Sequence, residues 1–331
     1  MDNVLTGMAV MACNFCGSFG INTKFGFAPS GANVDATLVA ATTREEILVE
    51  NLNYSDSVVG GRGITGWMDA SSLKLRNGQR LVSGGLIMEI GPNQIAPWLS
   101  ALVGNSAAAV ANVSTTKEKW DAIPFDLSVE RDNVDHGYRY CVVNRAVIRG
   151  RSNPRDQQGQ IVQMALSFLG VEEEDITFPG ALALPSDAQY PWLLGDASLD
   201  YGGETCSLIS FDITIENMLK PLFRNRLTPG CFRSLGRKIT MDFAVPYGAD
   251  SYAGYIDDNS ADAAAALTFA STNLPAAVSD YSTIFTFPQT RRIAHNYTTA
   301  SKDEIPLQMK LQAYIKGSSP AMTIANVISA A

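Results

Sequence analysis

The sequence predicts a mainly β protein, folded as two tandem sandwich-type domains that each carry a short flanking α-helix. Three observations predict it: long runs in which apolar and polar residues alternate, few segments with helical spacing, and one order of elements met twice along the chain.

Alternation with a period of two sends successive side chains to opposite faces of a strand. In Pro124–Glu130, Phe125, Leu127 and Val129 share one face, with Asp126, Ser128 and Glu130 on the other. In Lys238–Val245, Ile239, Met241, Phe243 and Val245 oppose Lys238, Thr240, Asp242 and Ala244. Helical spacing occurs in Asn93–Val103, where Ile95, Trp98, Leu99 and Leu102 recur, Asn93 suits an N-cap and Gly104 a stop. A second helix is expected over Asn217–Leu227, with Pro97 and Pro221 in first turns, where a missing N–H costs least. The stretches Asn51–Gly66 and Asp250–Asp280 are rich in Gly, Ser, Asn and Asp and read as long loops, with the run Ala261–Ala266 a surface excursion.

The repeat has two parts. The strand Leu86–Ile90, then Asn93, Pro97 and Leu99, corresponds to Ser210–Ile215, then Asn217, Pro221 and Phe223. The strand pair Tyr138–Ile148 and Ile161–Gly170 matches Thr283–Ile293 and Pro306–Gly317, with Gln163-Met164-x-Leu166 over Gln308-Met309-x-Leu311. A duplicated unit constrains architecture before any single residue is interpreted. The expected domains are residues 1–172 and 173–331, joined near the charged run Glu172–Asp175, which reads as a solvated linker.

Composition narrows the function classes. The 331 residues include 25 Lys and Arg against 33 Asp and Glu, a net charge of −8, and both halves are acidic. A protein that grips nucleic acid neutralises phosphates with cations, so tight DNA binding is disfavoured. Five cysteines in so long a chain make no disulfide framework, and a reducing compartment is expected. No apolar run approaches the roughly 20 residues that span a bilayer. The opening MDNVLTGMAVMAC only loosely imitates an export signal, since it has Asp2 where a basic region belongs.

Catalytic and cofactor motifs fail on context. Gly61-x-Gly63-x-x-Gly66 has dinucleotide spacing, but WMDASSLKL follows where a helix must point its N-terminus at pyrophosphate. Cys13-x-x-Cys16 lacks a second pair, and the two histidines, His136 and His295, are distant from it and from each other. Asp132 and Asp135 beside His136 read as a solvated loop. No catalytic residue, metal ligand or cofactor is expected.

The passage SVVGGRGITGWMD (Ser57–Asp69), a strand, and then GPNQIAPWLSALVGN (Gly91–Asn105) resembles the duplicated tail tube proteins of long, non-contractile-tailed phages. The likeness is best over Glu50–Gly104 and by pattern beyond. It implies a virion protein, assembled in the host cytoplasm, whose tube-type β-sandwich domains form a six-domain ring with their inner sheets joined into a barrel around a DNA channel. Three duplicated chains would complete one ring. Rings would stack around a tape-measure protein and meet tail-end and terminator proteins, with DNA passing unbound and no membrane partner. A conduit should not hold phosphates, so carboxylates on polar strand faces are the lumen candidates: Glu89, Asp126, Glu130, Asp212, Glu216 and Asp242, giving a negative bore. Gly60, Gly61, Arg62 and Gly63 are the candidates for an inter-ring loop. Rival readings are another virion component, such as a capsid or tail-end protein, and a carbohydrate-binding or enzymatic β-sandwich.

Overall fold

The computed structural model describes residues 24–31, 33–60, 75–92, 94–103, 112–114, 123–131, 134–152, 160–180, 182, 191–246, 262–270, 282–297, 306–317 and 319–327. The first part of the chain runs through β1 (Lys24–Pro29), β2 (Thr43–Glu45), β3 (Val49–Glu50), β4 (Asn53–Gly60), β5 (Leu75–Glu89) and the helix α1 (Ile95–Val103). It continues through β6 (Asn112–Ser114), β7 (Phe125–Arg131), β8 (Val134–Arg151), β9 (Gln163–Gly170) and β10 (Glu172–Asp175). After a 3-10 turn at Leu194–Asp196 come β11 (Ala197–Tyr201), β12 (Glu204–Cys206), β13 (Ser210–Glu216), β14 (Leu219–Leu222) and β15 (Cys231–Ser234). The last strands are β16 (Lys238–Pro246), β17 (Asp262–Ala270), β18 (Ser282–Tyr297), β19 (Pro306–Ala313) and β20 (Thr323–Val327).

All the strand pairs are antiparallel, and one pairing scheme occurs twice. β8 is long enough to serve two sheets. Up to Cys141 it lies between β7 and β10, and from Val142 it pairs with β9, which pairs with β5. The switch coincides with Tyr140 at φ 52° and a register shift between Val143 and Arg145, the local kink a bulge supplies. β18 repeats the scheme. Its first half lies between β17 and β20, and from Thr290 it pairs with β19, which pairs with β16. β1 pairs with β2 and β7 as β11 pairs with β12 and β17. In this scheme β5 holds the place of β16, not of β13 as the sequence correspondence has it.

The two sheets of each set close over aromatic cores. Trp98 of α1 is fully buried, 4.7 Å from Phe27 and 5.5 Å from Phe125 in one sheet, and 5.9 Å from Phe168 in the other. Phe269 of β17 does the same in the second set, 5.6 Å from Phe211 of β13 and 5.9 Å from Trp192. Burying each such ring contributes roughly 2–3 kcal/mol, and tilted contacts at these separations add to it.

Four sequence expectations change. Asn217–Leu227 is not helical: Leu219–Leu222 is a strand paired with Cys231–Ser234, with Pro221 opposite Phe232. Tertiary burial overrides the helical spacing, because Leu219 and Phe232 pack against Val142, Tyr140 and Leu169. The alanine run is no excursion. β17 lies between β11 and β18, with Ala265, Leu267 and Phe269 in the core. Asn53–Gly60 is a strand rather than a loop, and Glu172–Asp175 is a strand on β8 rather than a linker. The acids of β10 are held there by Arg139, whose Nη2 is 2.6 Å from Glu172, and by His136, whose Nδ1 is 2.7 Å from Glu173. The helix at Asn93–Val103 is present as α1; Asn93 and Gly104 lie outside the described residues, as do Cys13, Cys16 and Asp132.

The base of the β14–β15 hairpin closes α1. Asn217, fully buried, donates from Nδ2 to Leu102 O and Val143 O at 3.1 Å each, and Arg237 donates to Leu102 O at 3.0 Å and to Asn217 Oδ1 at 2.9 Å. Two of these bonds satisfy the carbonyl of Leu102, which at the helix end has no intrahelical donor. Burial pulls the Arg237 guanidinium down to about 10. Arg237→Ala is expected to cost about 1–3 kcal/mol, the penalty for leaving buried acceptors unpaired, seen as a lower urea midpoint at unchanged slope.

Candidate functional site: the polar face of the long sheet

Pairing of β8 with β13 joins the two sets into one sheet in the order β4, β5, β9, β8, β13, β16, β19 and the second half of β18. One face is core: Met164, Leu166 and Phe168, then Ala146 and Ile148, then Phe211, Ile213 and Ile215, then Met241 and Phe243, then Met309 and Leu311 are all buried. The opposite face is polar, and register arranges it in rows across the strands. One row runs Gln163, Arg149, Asp212, Asp242, Lys310. The next is neutral, with Ala165, Val147, Thr214, Thr240 and Gln312, and the third runs Ser167, Arg145, Glu216, Lys238.

The charged rows compensate themselves. Asp212 and Asp242 face each other directly, a repulsive arrangement on its own. Arg151 Nη2 lies 3.4 Å from Asp212 and Lys310 Nζ 3.0 Å from Asp242, so each carboxylate has a cation on its outer side. Glu216 is 3.2 Å from Arg145 Nε. At the end of these rows a concavity of about 660 Å³ opens, lined by Arg151, Ser210, Asp212, Asp242, His295 and Lys310 among others.

Of the six lumen candidates, Glu89, Asp212, Glu216 and Asp242 occupy this face. Asp126 and Glu130 do not. They belong to β7 of the other sheet, where Glu130 is held by Lys24 at 2.7 Å. Asp126 is 0% exposed, and its two oxygens accept the backbone N–H groups of Val39 at 2.6 Å and Tyr140 at 2.8 Å. Alternation reveals which residues share a face but not which sheet a strand joins, and both faces of β7 are covered over Phe125–Val129. The carboxylates do not stand alone: Arg145, Arg149, Lys238 and Lys310 stand in the same rows, and Arg151, opposite Ser210, is on the same face. Their signal in the sequence is opposite charge, but only strand register brings the partners together. Gly60 ends β4; Gly61, Arg62 and Gly63 lie outside the described residues.

Three carboxylates gather beyond the row at the Glu89 end. Leu48 donates its N–H to Ile87 O at 2.7 Å, which brings the chain before β3 against β5 and Glu46 beside Glu89. Burial, and then Glu46, push the Glu45 carboxyl up to about 8. Burial and Glu46 raise Glu89 as well. The folded protein therefore holds a proton on Glu45 that the unfolded chain releases near the ordinary value. That contribution is complete below the unfolded pKa, about 4.5, and is lost as pH rises through 8. Glu45→Gln is expected to stabilise the protein by about 4 kcal/mol at pH 8 and to be close to neutral at pH 4, by thermal melts at both.

Among the described residues no group of three or more His, Cys, Asp or Glu is placed to hold a metal ion, and no helix is long and apolar enough to cross a membrane. Three carboxylates of the face are paired with cations across the strands, and among the described residues the long sheet is flanked by β4 and by the second half of β18; this is a β-rich fold with an extended polar face. Residues 21–313 match the family described as phage tail tube protein, and the chain belongs to that family. No curated protein matches the sequence.

Proposed function

We propose that the chain is a duplicated tube subunit, with units dividing after Asp175, that closes into rings by pairing the free edge of β18 with the β3–β4 edge of a second copy. One observation carries it. β8 and β18 hold the same place in the repeated scheme, yet β8 is paired with β13 from Arg145 to Arg151, whereas Ile293, at the register shift of β18, is 47% exposed. Past Arg291, β18 has no partner on that side among the described residues.

The missing cover has a donor. Ile47–Asn53 lies against β5 as β13 lies against β16, and it carries Leu48 and Val49 at 51% and 49% exposure. A second copy presenting this edge would pair with β18 as β13 pairs with β8, bringing Leu48 and Val49 beside Ile293, and removing open edges also removes an aggregation hazard. Repeating the joint through three chains gives a closed ring of six units, stacked into a tube with the polar face toward the bore. Arg145, Arg151 and Lys310 are paired with carboxylates of the same face, so much of the wall's positive charge is already compensated and offers DNA few phosphate contacts to brake it. The protein is then a structural, non-catalytic part of the virion tail, built around a tape-measure protein and conducting DNA during ejection. Electron microscopy of the purified protein tests this: hollow tubes with a central bore are expected, while closed shells or monomers that stay dispersed at high concentration overturn it.

A further inference from the structure

Two patches of opposite charge lie near opposite ends of the long sheet. Glu216 and Lys238 mark one end, where the hairpin β14–β15 projects; Glu89 and Pro306 mark the other. From Asn217 to Lys238 the chain has Lys220, Arg224, Arg226, Arg233, Arg237 and Lys238 and no carboxylate at all, inside a protein of net charge −8. Arg226 is paired with Asp35 and Arg237 is engaged at α1. Lys220, Arg224 and Arg233 are exposed and have no carboxylate partner among the described residues. Lys220 and Arg233 are directly opposite each other across the hairpin, an arrangement that destabilises a strand pair unless something anionic covers it. Beside them Met218 and Leu235, joined by the bond from Leu235 N–H to Met218 O, are 48% and 62% exposed.

The opposite end has the converse strain. Glu46 is exposed, Glu89 is half-buried next to it, and the buried Glu45 lies beneath, three acids gathered with no cation bound to them in the described residues. We infer that the β14–β15 hairpin of one copy docks head to tail on the Glu46–Glu89 end of a second copy, so that stacking is polar and charge-driven. This rests on the tube reading above and deepens it, by assigning the contact between successive rings. Each end removes the other's like-charge repulsion, and a head-to-head stack would set six cations against six, which fixes one direction along the tube.

The test compares four full-length chains at about 0.15 M salt, where exposed charges are screened beyond about 8 Å: wild type, Lys220→Glu with Arg233→Glu, Glu46→Lys with Glu89→Lys, and all four changes together. Rings are counted by native mass spectrometry and tube length is measured in negative stain. Either reversal alone is expected to leave rings but shorten tubes at least tenfold, and the combined chain to regain long tubes. The neutral pair Lys220→Gln with Arg233→Gln guards against misfolding and should shorten tubes in the same direction. Unchanged length in the reversed chains, lost rings in the Lys220→Gln with Arg233→Gln chain, or no recovery in the combined chain overturns the docking. Absence of rings in wild type would instead overturn the tube reading.

Discussion

Ile293→Lys is expected to yield a folded chain that no longer closes rings. The substitution removes apolar area that the joint would bury and places a charge where the neighbouring strand must lie, together about 3 kcal/mol for each joint. At 1.4 kcal/mol per tenfold, the concentration needed for association rises at least ~100-fold. Sedimentation at micromolar protein should show monomers where wild type shows rings. Val134 is a fair control, being 55% exposed on the other sheet, away from both free edges. Val134→Lys should leave assembly unchanged, and equal loss in the two variants would sink the edge-pairing model.

Asp126→Ala is expected to be the most damaging single change to the fold itself. The carboxylate is wholly buried and is the acceptor for two backbone N–H groups from different segments, the loop at Val39 and the kink of β8 at Tyr140. Charge-assisted bonds of this kind are the strong class, and truncation strands both donors in the interior at a cost of about 3 kcal/mol. For a domain of this size that lowers Tm by roughly 8 °C. Asp126→Asn should recover part of the loss, since one oxygen remains to accept. A melt within a degree of wild type for the alanine variant would show that water replaces the carboxylate and would refute this account.

How much of this was legible in advance depended on whether a residue's neighbours are close in sequence. The strands around Leu127 and Met241 and the helix around Trp98 were readable because period and capping are local. Leu219–Leu222 was not, since its spacing suits a helix equally well and its strand partner lies beyond a turn. The alanines of β17 were misread for the same reason: alanine carries almost no hydrophobic signal, and it is β11 and β18 on either side that bury it. Of the candidate site, alternation alone identifies the four carboxylates of the polar face; it cannot separate Asp126 and Glu130 from them, nor bring in Arg145, Arg151 and Lys310, which pair with three of the four.

The sequence by itself determined the class of protein, a β-rich, acidic, histidine-poor chain with a repeated strand pair and no catalytic constellation, because these follow from composition and short-range periodicity. Only the tertiary structure decided which strands share a sheet, which charges meet across it, and that β18 past Arg291 has no partner among the described residues on the side where β8 pairs with β13. Those are properties of register and long-range pairing. A one-residue slip in register inverts every face, and the contact between Arg145 and Glu216 spans 71 positions that no local pattern can connect.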